Sequence, residues 1–367
     1  MAEYDLKVAV IGGGTGLSTI LRGLKRYPID ITAIVTVADD GGSSGSLRTD
    51  FDVPPPGDIR NVLVALSEVE PLVQELFQYR FTGETDLAGH PTGNLLIAAM
   101  TNITGDFASA IQKLSEVLKV RGRVLPVCNT PLCLCAEYDD GTIIQGESLI
   151  PTIEKKIKRV YYTKEDARAL DEAVEAIMEA DLVLLGPGSL YTSIIPNLLL
   201  VEISEALVKT SAECEYCCNI MTQPGETTGY SASDHVLALH EHAGHAFIDK
   251  IIVNDEEIDD ETYERYCDQH SDVVLIDEKK LHKMNIEVIK SRLVSYNNVG
   301  EVRHNTKKVA ATIFSLLLDI EEKREGWYNV IRFWNEKRIS SNPVRRLLCE
   351  SRIISPYSNE WSYFIIK

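Results

Sequence analysis

Short apolar blocks that suit buried strands alternate along this chain with longer stretches in which apolar residues recur every three or four positions, the spacing of one helix face. Lys7 to Ile11 form the first block, which runs into Gly12, Gly13 and Gly14, and a helical pattern follows from Leu17 to Leu24. With a second block at Asp30 to Val37, this makes strand, glycine turn, helix and strand, the βαβ unit of a parallel sheet. A polar run from Ala38 to Asp50 and the breaker Pro54, Pro55, Pro56, Gly57 then lead to a helix starting near Asp58, with further helices around 71–77 and 95–100. Leu134 to Tyr138 and Thr142 to Gly146 flank Asp139, Asp140 and Gly141, which predicts a β-hairpin. After a helical stretch from Lys164 to Ala180 the alternation resumes. Strands are expected at Leu182 to Leu185, Tyr216 to Ile220, Ile248 to Val253 and Val273 to Ile276, and helices through Leu207, at Ala232 to His242, Glu261 to His270 and Asn305 to Glu321. The pattern predicts an α/β fold: a doubly wound parallel sheet with a small antiparallel β-hairpin insertion at about 124–162.

Composition narrows the partners. The chain has 367 residues and a net charge of −18, from 37 Lys plus Arg against 55 Asp plus Glu, so it repels polyanions, and neither nucleic acid nor an anionic membrane is an expected partner. No stretch reaches the roughly 20 apolar residues of a membrane span, and the start MAEYDLKVAVIGGG lacks the pattern of a signal peptide, so a cytoplasmic location is expected. The eight cysteines then read as free core thiols, since Cys214, Cys217 and Cys218 have no matched second pair for zinc. His235, His240, His242 and His245 miss the H-E-x-x-H spacing because position 244 is glycine; they read as solvated histidines at a helix end.

An acidic protein can still hold phosphate where backbone amides and helix N-termini supply local positive potential. Several polar turns follow expected strands. Gly13, Gly14, Thr15 and Gly16 lack bulk, so their amides can approach a diphosphate, although Leu17 breaks the full dinucleotide fingerprint. Asp39 and Asp40, with Gly41, Gly42 and Ser43, could accept from a ribose or hold Mg²⁺ beside a phosphate. Arg60 and Asn61 open a helix where a guanidinium could pair with phosphate, and His90 and Asn94 mark another helix start. Gly186, Gly188 and Ser189 form a second glycine turn after an apolar strand, with Gln223 to Thr227 as its partner turn.

Together GGGTGLS (Gly12 to Ser18), TVADDGGSSG (Thr36 to Gly45), PPGDIRN (Pro55 to Asn61), GPGSLYTSIIPN (Gly186 to Asn197), MTQPGET (Met221 to Thr227) and VRHN (Val302 to Asn305) resemble the CofD superfamily, and within it the YvcK branch of gluconeogenesis factors. The resemblance covers about residues 7 to 319 and leaves 320–367 as an extension without an assigned role. It implies a cytoplasmic 1–319 domain of Rossmann-like, three-layer fold that binds UDP-sugars such as UDP-N-acetylglucosamine and serves cell shape and wall synthesis during gluconeogenic growth. It also makes Tyr266 and Arg303 candidate contacts for the nucleotide sugar, with a cell-wall protein as a partner and a homo-oligomer among the expectations. The sister branch transfers phospholactate from a nucleotide diphosphate with Mg²⁺ at the aspartates, which leaves open a metal at Asp40 and a catalytic role for Asp39 or Asp40. Two readings therefore stand, a ligand-sensing regulator and a Mg²⁺-dependent transferase, and the sequence favours the first because it offers no evident aromatic slot for a deazaflavin.

Overall fold

The computed structural model describes residues 6–68, 70–84 and 87–325; all three tryptophans lie outside these. In chain order the elements are β1 (Lys7–Gly12), α1 (Gly14–Leu24), β2 (Asp30–Val35), α2 (Gly42–Phe51), α3 (Gly57–Leu66), α4 (Glu70–Gln78), α5 (Thr92–Thr104), α6 (Phe107–Val117) and β3 (Arg123–Pro126). Next come β4 (Leu134–Tyr138), β5 (Ile143–Gln145), β6 (Ile157–Tyr162), α7 (Asp171–Met178), β7 (Leu182–Leu185), α8 (Ile195–Leu198), α9 (Val201–Lys209) and β8 (Glu213–Cys217). The described chain closes with α10 (Ala232–Ala243), β9 (Lys250–Asn254), α11 (Asp260–Cys267), α12 (Glu278–Lys283), β10 (Glu287–Ser291), β11 (Val294–Tyr296), β12 (Val302–His304) and α13 (Thr306–Glu325).

Seven strands form one parallel sheet in the order β10-β9-β8-β7-β1-β2-β3. Its interior strand β1 is buried from Val8 to Gly12, as expected for a parallel strand covered on both faces. Helix α1 buries Leu17, Ile20, Leu21 and Leu24, one apolar stripe, against α3 and α13. A second helical layer contains α7, α8, α9 and α10, so the three-layer, doubly wound α/β architecture expected from the sequence is present. The chain builds outward from β1 through β2 to β3, then returns to place β7 on the other side of β1. That reversal puts the topological switch point between β1 and β7, where crevices open at the carboxyl ends of strands. Register is fixed by Val8 opposite Leu182 and Ile11 opposite Leu185, so the loops leaving both strands emerge side by side.

Several elements differ from the sequence expectation. The polar run at Ala38 to Asp50 contains helix α2, which buries only Ser44 and Leu47; Leu47 packs with Val53 and Ala98, so tertiary contact holds a segment that has no apolar period. Helix α6 was not expected, although Asp106 caps it by accepting from the amides of Ala108 and Ser109. The expected strand at Val273 to Ile276 is two isolated bridges, from Val273 to Met221 and from Leu275 to Ser231, with Leu275 68% exposed. The edge strand of the sheet is instead β10, whose sequence EVIKS carries no apolar block because an edge is partly solvated. β8 starts three residues before the expected block. Finally, the antiparallel insertion is three-stranded, β5-β4-β6, and β3 at its expected start belongs to the main sheet. Among the described residues no single helix is long and apolar enough to cross a membrane.

Candidate functional site

At the switch point the glycines first serve packing. Gly13 is extended, and a Cβ there would lie 2.5 Å from both Asp58 Oδ2 and Thr36 Cγ2; at Gly16 it would lie 2.3 Å from the carbonyl oxygen of Pro187. The loop after β1 is thus pressed between the start of α3 and the loop after β7. Gly14 turns with φ +65°, a conformation that favours glycine, and so admits the chain into α1. Beneath them Asn197, fully buried, donates through Nδ2 to the carbonyls of Ser193 and Ile194 and, at 3.5 Å, to that of Gly12, tying the two loops together.

A cleft of about 730 Å³ opens over this floor. Gly13, Gly14, Thr15, Gly16 and Thr19 form one wall, and Pro187, Gly188, Ser189 and Ser193 the next. Asn219 to Pro224, past the end of β8, make a third; there Asn219 Nδ2 donates to the Gly188 carbonyl at 3.0 Å and Gln223 Nε2 to Ser189 Oγ at 2.9 Å. The far wall comes from α11 and the β11–β12 hairpin, with Arg265, Tyr266, Glu301, Arg303 and His304. Tyr266 Oη accepts from the Val302 amide at 2.9 Å, which fastens helix to hairpin.

Two carboxylates occupy helix starts that a ligand anion would otherwise use. Glu226, 4% exposed, accepts from the Tyr191 amide at 3.0 Å and from Thr192 Oγ1 at 3.1 Å, and so caps the helical turn Leu190–Ile194 that follows β7. Burial pushes its carboxyl up to about 7. Asp58 accepts from the Gly14 amide at the start of α1; burial first, and the neighbouring Asp39 second, push it up to about 7. Of the first-turn positions of α1, Thr15 and Gly16 line the cleft with no such cap.

On the β2 side the same kinds of residue bond to one another, with the buried Arg60 Nε left without a partner. Arg60, 7% exposed, donates to Asn94 Oδ1 at 2.9 Å and to Asn61 Oδ1 at 3.2 Å; Asn94 Nδ2 donates to Ser43 Oγ at 3.1 Å, and Ser43 Oγ lies 2.8 Å from His90 Nδ1. Asp39 accepts from the Gly41 amide at 2.9 Å. Asp40 accepts from the amides of Ser148 at 2.9 Å and Glu147 at 3.1 Å, and so anchors the insertion to the sheet edge. Glu147 is pushed up to about 8 by burial and by Asp39, Asp58, Asp40 and Glu226 around it. Of the sequence candidates, Gly13, Gly14, Thr15, Gly16, Gly188, Ser189, Tyr266 and Arg303 meet in the cleft. Asp39, Asp40, Gly41, Gly42, Ser43, Arg60, Asn61 and Asn94 belong to the β2 side, and Gly186 is buried beneath the β7 loop. A Mg²⁺ ion at Asp40 does not fit, because no group of three acidic, His or Cys side chains among the described residues could hold a metal; both Asp40 oxygens instead accept from amides of the insertion.

Sequence reasoning missed Asn219, Gln269 and Ser271 in the cleft and the capping role of Glu226, although it sits inside the MTQPGET motif; Asp58, expected to cap amides at the start of its own helix, accepts from the Gly14 amide of α1 instead. The histidines need correction. His235 is fully buried, His240 Nε2 accepts from the amides of Phe247 and Ile248, and His242 Nε2 accepts from Val160, so three of the four are structural rather than solvated; His245 is exposed. The seven described cysteines are free thiols; the eighth, Cys349, lies outside the described residues.

Fold and cleft define a doubly wound α/β protein whose ligand space sits at the switch point, lined by paired glycine loops. The family model described as 2-phospho-L-lactate transferase CofD matches residues 8–294. Gluconeogenesis factor from Bacillus subtilis (strain 168) is 55% identical over 311 residues, 85% of this chain and 98% of that protein. The gluconeogenesis factor of Halalkalibacterium halodurans is 53% identical over 306 residues, 83% and 95% of the two chains. A crystal structure of a protein from Bacillus halodurans superposes with a TM-score of 0.81 at 53% identity, covering 84% of this chain and 99% of that one. The chain belongs to the CofD family, among its YvcK-type gluconeogenesis factors, as the motifs suggested.

Proposed function

We propose that the chain is a cytoplasmic sensor of a nucleotide-activated sugar, with UDP-N-acetylglucosamine the first candidate, and that it signals occupancy of the cleft to a protein partner in cell shape and wall synthesis during gluconeogenic growth. One observation carries the reading: the loops after β1 and β7, far apart in sequence, close on a single cleft of about 730 Å³, within the range of small-molecule sites and roomy enough for a nucleotide sugar. Thr15 and Gly16 offer amides for the diphosphate, Arg303 a guanidinium suited to it, and Tyr266 a ring beside it. Turnover is not part of the proposal. Asp39 and Asp40, the aspartates a Mg²⁺-dependent transfer would need, accept from one and two amides, and neither lines this cleft.

The test is a calorimetric titration with UDP-N-acetylglucosamine, followed by product analysis after incubation with and without Mg²⁺. Saturable binding with the ligand recovered intact is the expected result. Cleavage or transfer at enzymatic rates would replace the sensor by a transferase, and absence of binding would remove the nucleotide sugar altogether.

A further inference from the structure

Three side chains lining the cleft are potential cations: Arg265, Arg303 and His304. His304 is held neutral, since burial lowers its pKa to about 4, and its Nε2 donates to the Cys218 carbonyl at 3.1 Å. Arg265 donates to the Gly300 carbonyl and lies over the ring of Tyr266. Arg303 remains as the guanidinium for a ligand's negative charge, and it is not free. Its Nη2 is paired with the carboxylate of Glu301, two residues earlier on the same hairpin, while its Nη1 donates to the Val302 carbonyl.

Glu301 is presented by a built turn rather than by chance. Asn297 Oδ1 accepts from the amides of Val299 at 3.1 Å and Glu301 at 2.9 Å, and Asn297 Nδ2 donates to Glu301 Oε2 at 2.7 Å. The same carboxylate oxygen therefore receives both Asn297 and Arg303. The hairpin is in turn fastened to α11 through Tyr266 and Arg265, and Tyr296 Oη donates to Asp259 at 2.8 Å. Glu301 and Arg303 are about half exposed, at 47% and 50%, and both line the cleft, so the pair is open to an incoming anion.

We infer that Glu301 is an internal competitor for the anionic part of the ligand: its carboxylate occupies Arg303 in the free protein and yields that guanidinium when a diphosphate enters. This rests on the nucleotide-diphosphate reading above. A carboxylate and a diphosphate make the same charge-assisted hydrogen bonds to a guanidinium, and while Glu301 holds the Nη2 end and the Val302 carbonyl takes Nη1, a diphosphate cannot form a two-pronged pair with that end of Arg303. Glu301 thus sets a threshold, because a ligand with one weak negative charge does not displace it while a diphosphate does.

Calorimetry on the full chain tests this with three probes, UDP-N-acetylglucosamine, UDP and uridine, against wild type, Glu301→Gln, Arg303→Gln and the double variant. Glutamine keeps an oxygen for Asn297, and an unchanged unfolding midpoint verifies that the turn survives. The expected result is that Glu301→Gln tightens both diphosphates about three-fold, the size of an exposed ion pair, leaves uridine unchanged, and gives no gain when Arg303 is already Gln. Wild type that binds UDP while Glu301→Gln binds no tighter overturns the competitor and spares the sensor reading. A gain shared by uridine overturns it as well, since charge would not be the cause. If no variant binds either diphosphate, both readings fall.

Discussion

Gly12 to Gly16 and Asp39 to Ser44 are alike in kind, runs of small and polar residues directly after buried strands, yet they end in opposite states. The first lines an open cleft, while the second closes on itself and on its neighbours, with Asp39 holding its own loop's Gly41 amide and Asp40 reaching the insertion. The difference is the supply of local acceptors. A loop that carries carboxylates satisfies nearby amides and has none left to offer, whereas a loop of glycine and threonine can be satisfied only by what arrives from elsewhere.

The sharpest way to break this comparison is steric. Gly16→Val places a Cβ 2.3 Å from a backbone oxygen that cannot move aside, so it should cost about 3 kcal/mol in urea unfolding and abolish binding. Gly42→Ala on the other loop meets nothing within 4 Å and bears only its φ of +45°, at about 1 kcal/mol. Equal losses would show that the loops are not differently packed.

Next comes a pair of arginines. Arg303→Ala should weaken UDP-N-acetylglucosamine by about 2 kcal/mol, some thirty-fold in Kd, with little change in the unfolding midpoint. Arg60→Ala should do the reverse, because it leaves the buried Asn94 without its donor. If Arg60→Ala reduces affinity as strongly as Arg303→Ala does, the β2 side is part of the binding site and the contrast fails.

A gentler effect is expected from pH. Asp58 and Glu226 are pushed up to about 7 and Glu147 to about 8, above ordinary values of 3.8 and 4.5. Between those limits each of these acids holds a proton in the folded state that it has lost in the unfolded one, so its contribution to stability falls as pH rises from about 4 towards 7 or 8, while the histidines His235, His240, His242 and His304, held below their ordinary value by burial, contribute in the opposite sense. Asp58→Asn should remove one such falling contribution, so the stability of the variant relative to wild type should rise between about pH 4 and 7 in unfolding curves; a difference that stays constant across that range would contradict the raised Asp58 carboxyl. Ser43→Ala should cost about 1 kcal/mol in stability, because it leaves the buried Asn94 Nδ2 without its acceptor, and should leave affinity unchanged.

Parts of this molecule were legible in the sequence because one physical signal dominated. Fully buried strands such as Leu182–Leu185 announce themselves by apolar runs, and glycine turns after them mark the ligand edge of a parallel sheet. The edge strand β10 and helix α2 were not legible, since each owes its form to a neighbour rather than to its own period. In the cleft, side-chain type revealed which residues could meet a phosphate but not which were already engaged. Arg60 and Arg303 look alike in the sequence, and only packing turns one guanidinium into the core and the other to the cleft. Asp58 and Glu226 were hidden for the same reason, because a cap across long range leaves no local spacing to find.

Because β1 is flanked by β2 on one side and by β7 on the other, its second neighbour is not synthesised until Leu182–Leu185 leave the ribosome. The hairpin bearing Arg303 follows later still. A nascent chain therefore carries β1 with one apolar edge unpaired for half its length, open to wrong pairing. The pocket draws on segments from the first loop to the last hairpin, so a truncated product can own every glycine of the first loop and still have nowhere for a ligand to sit.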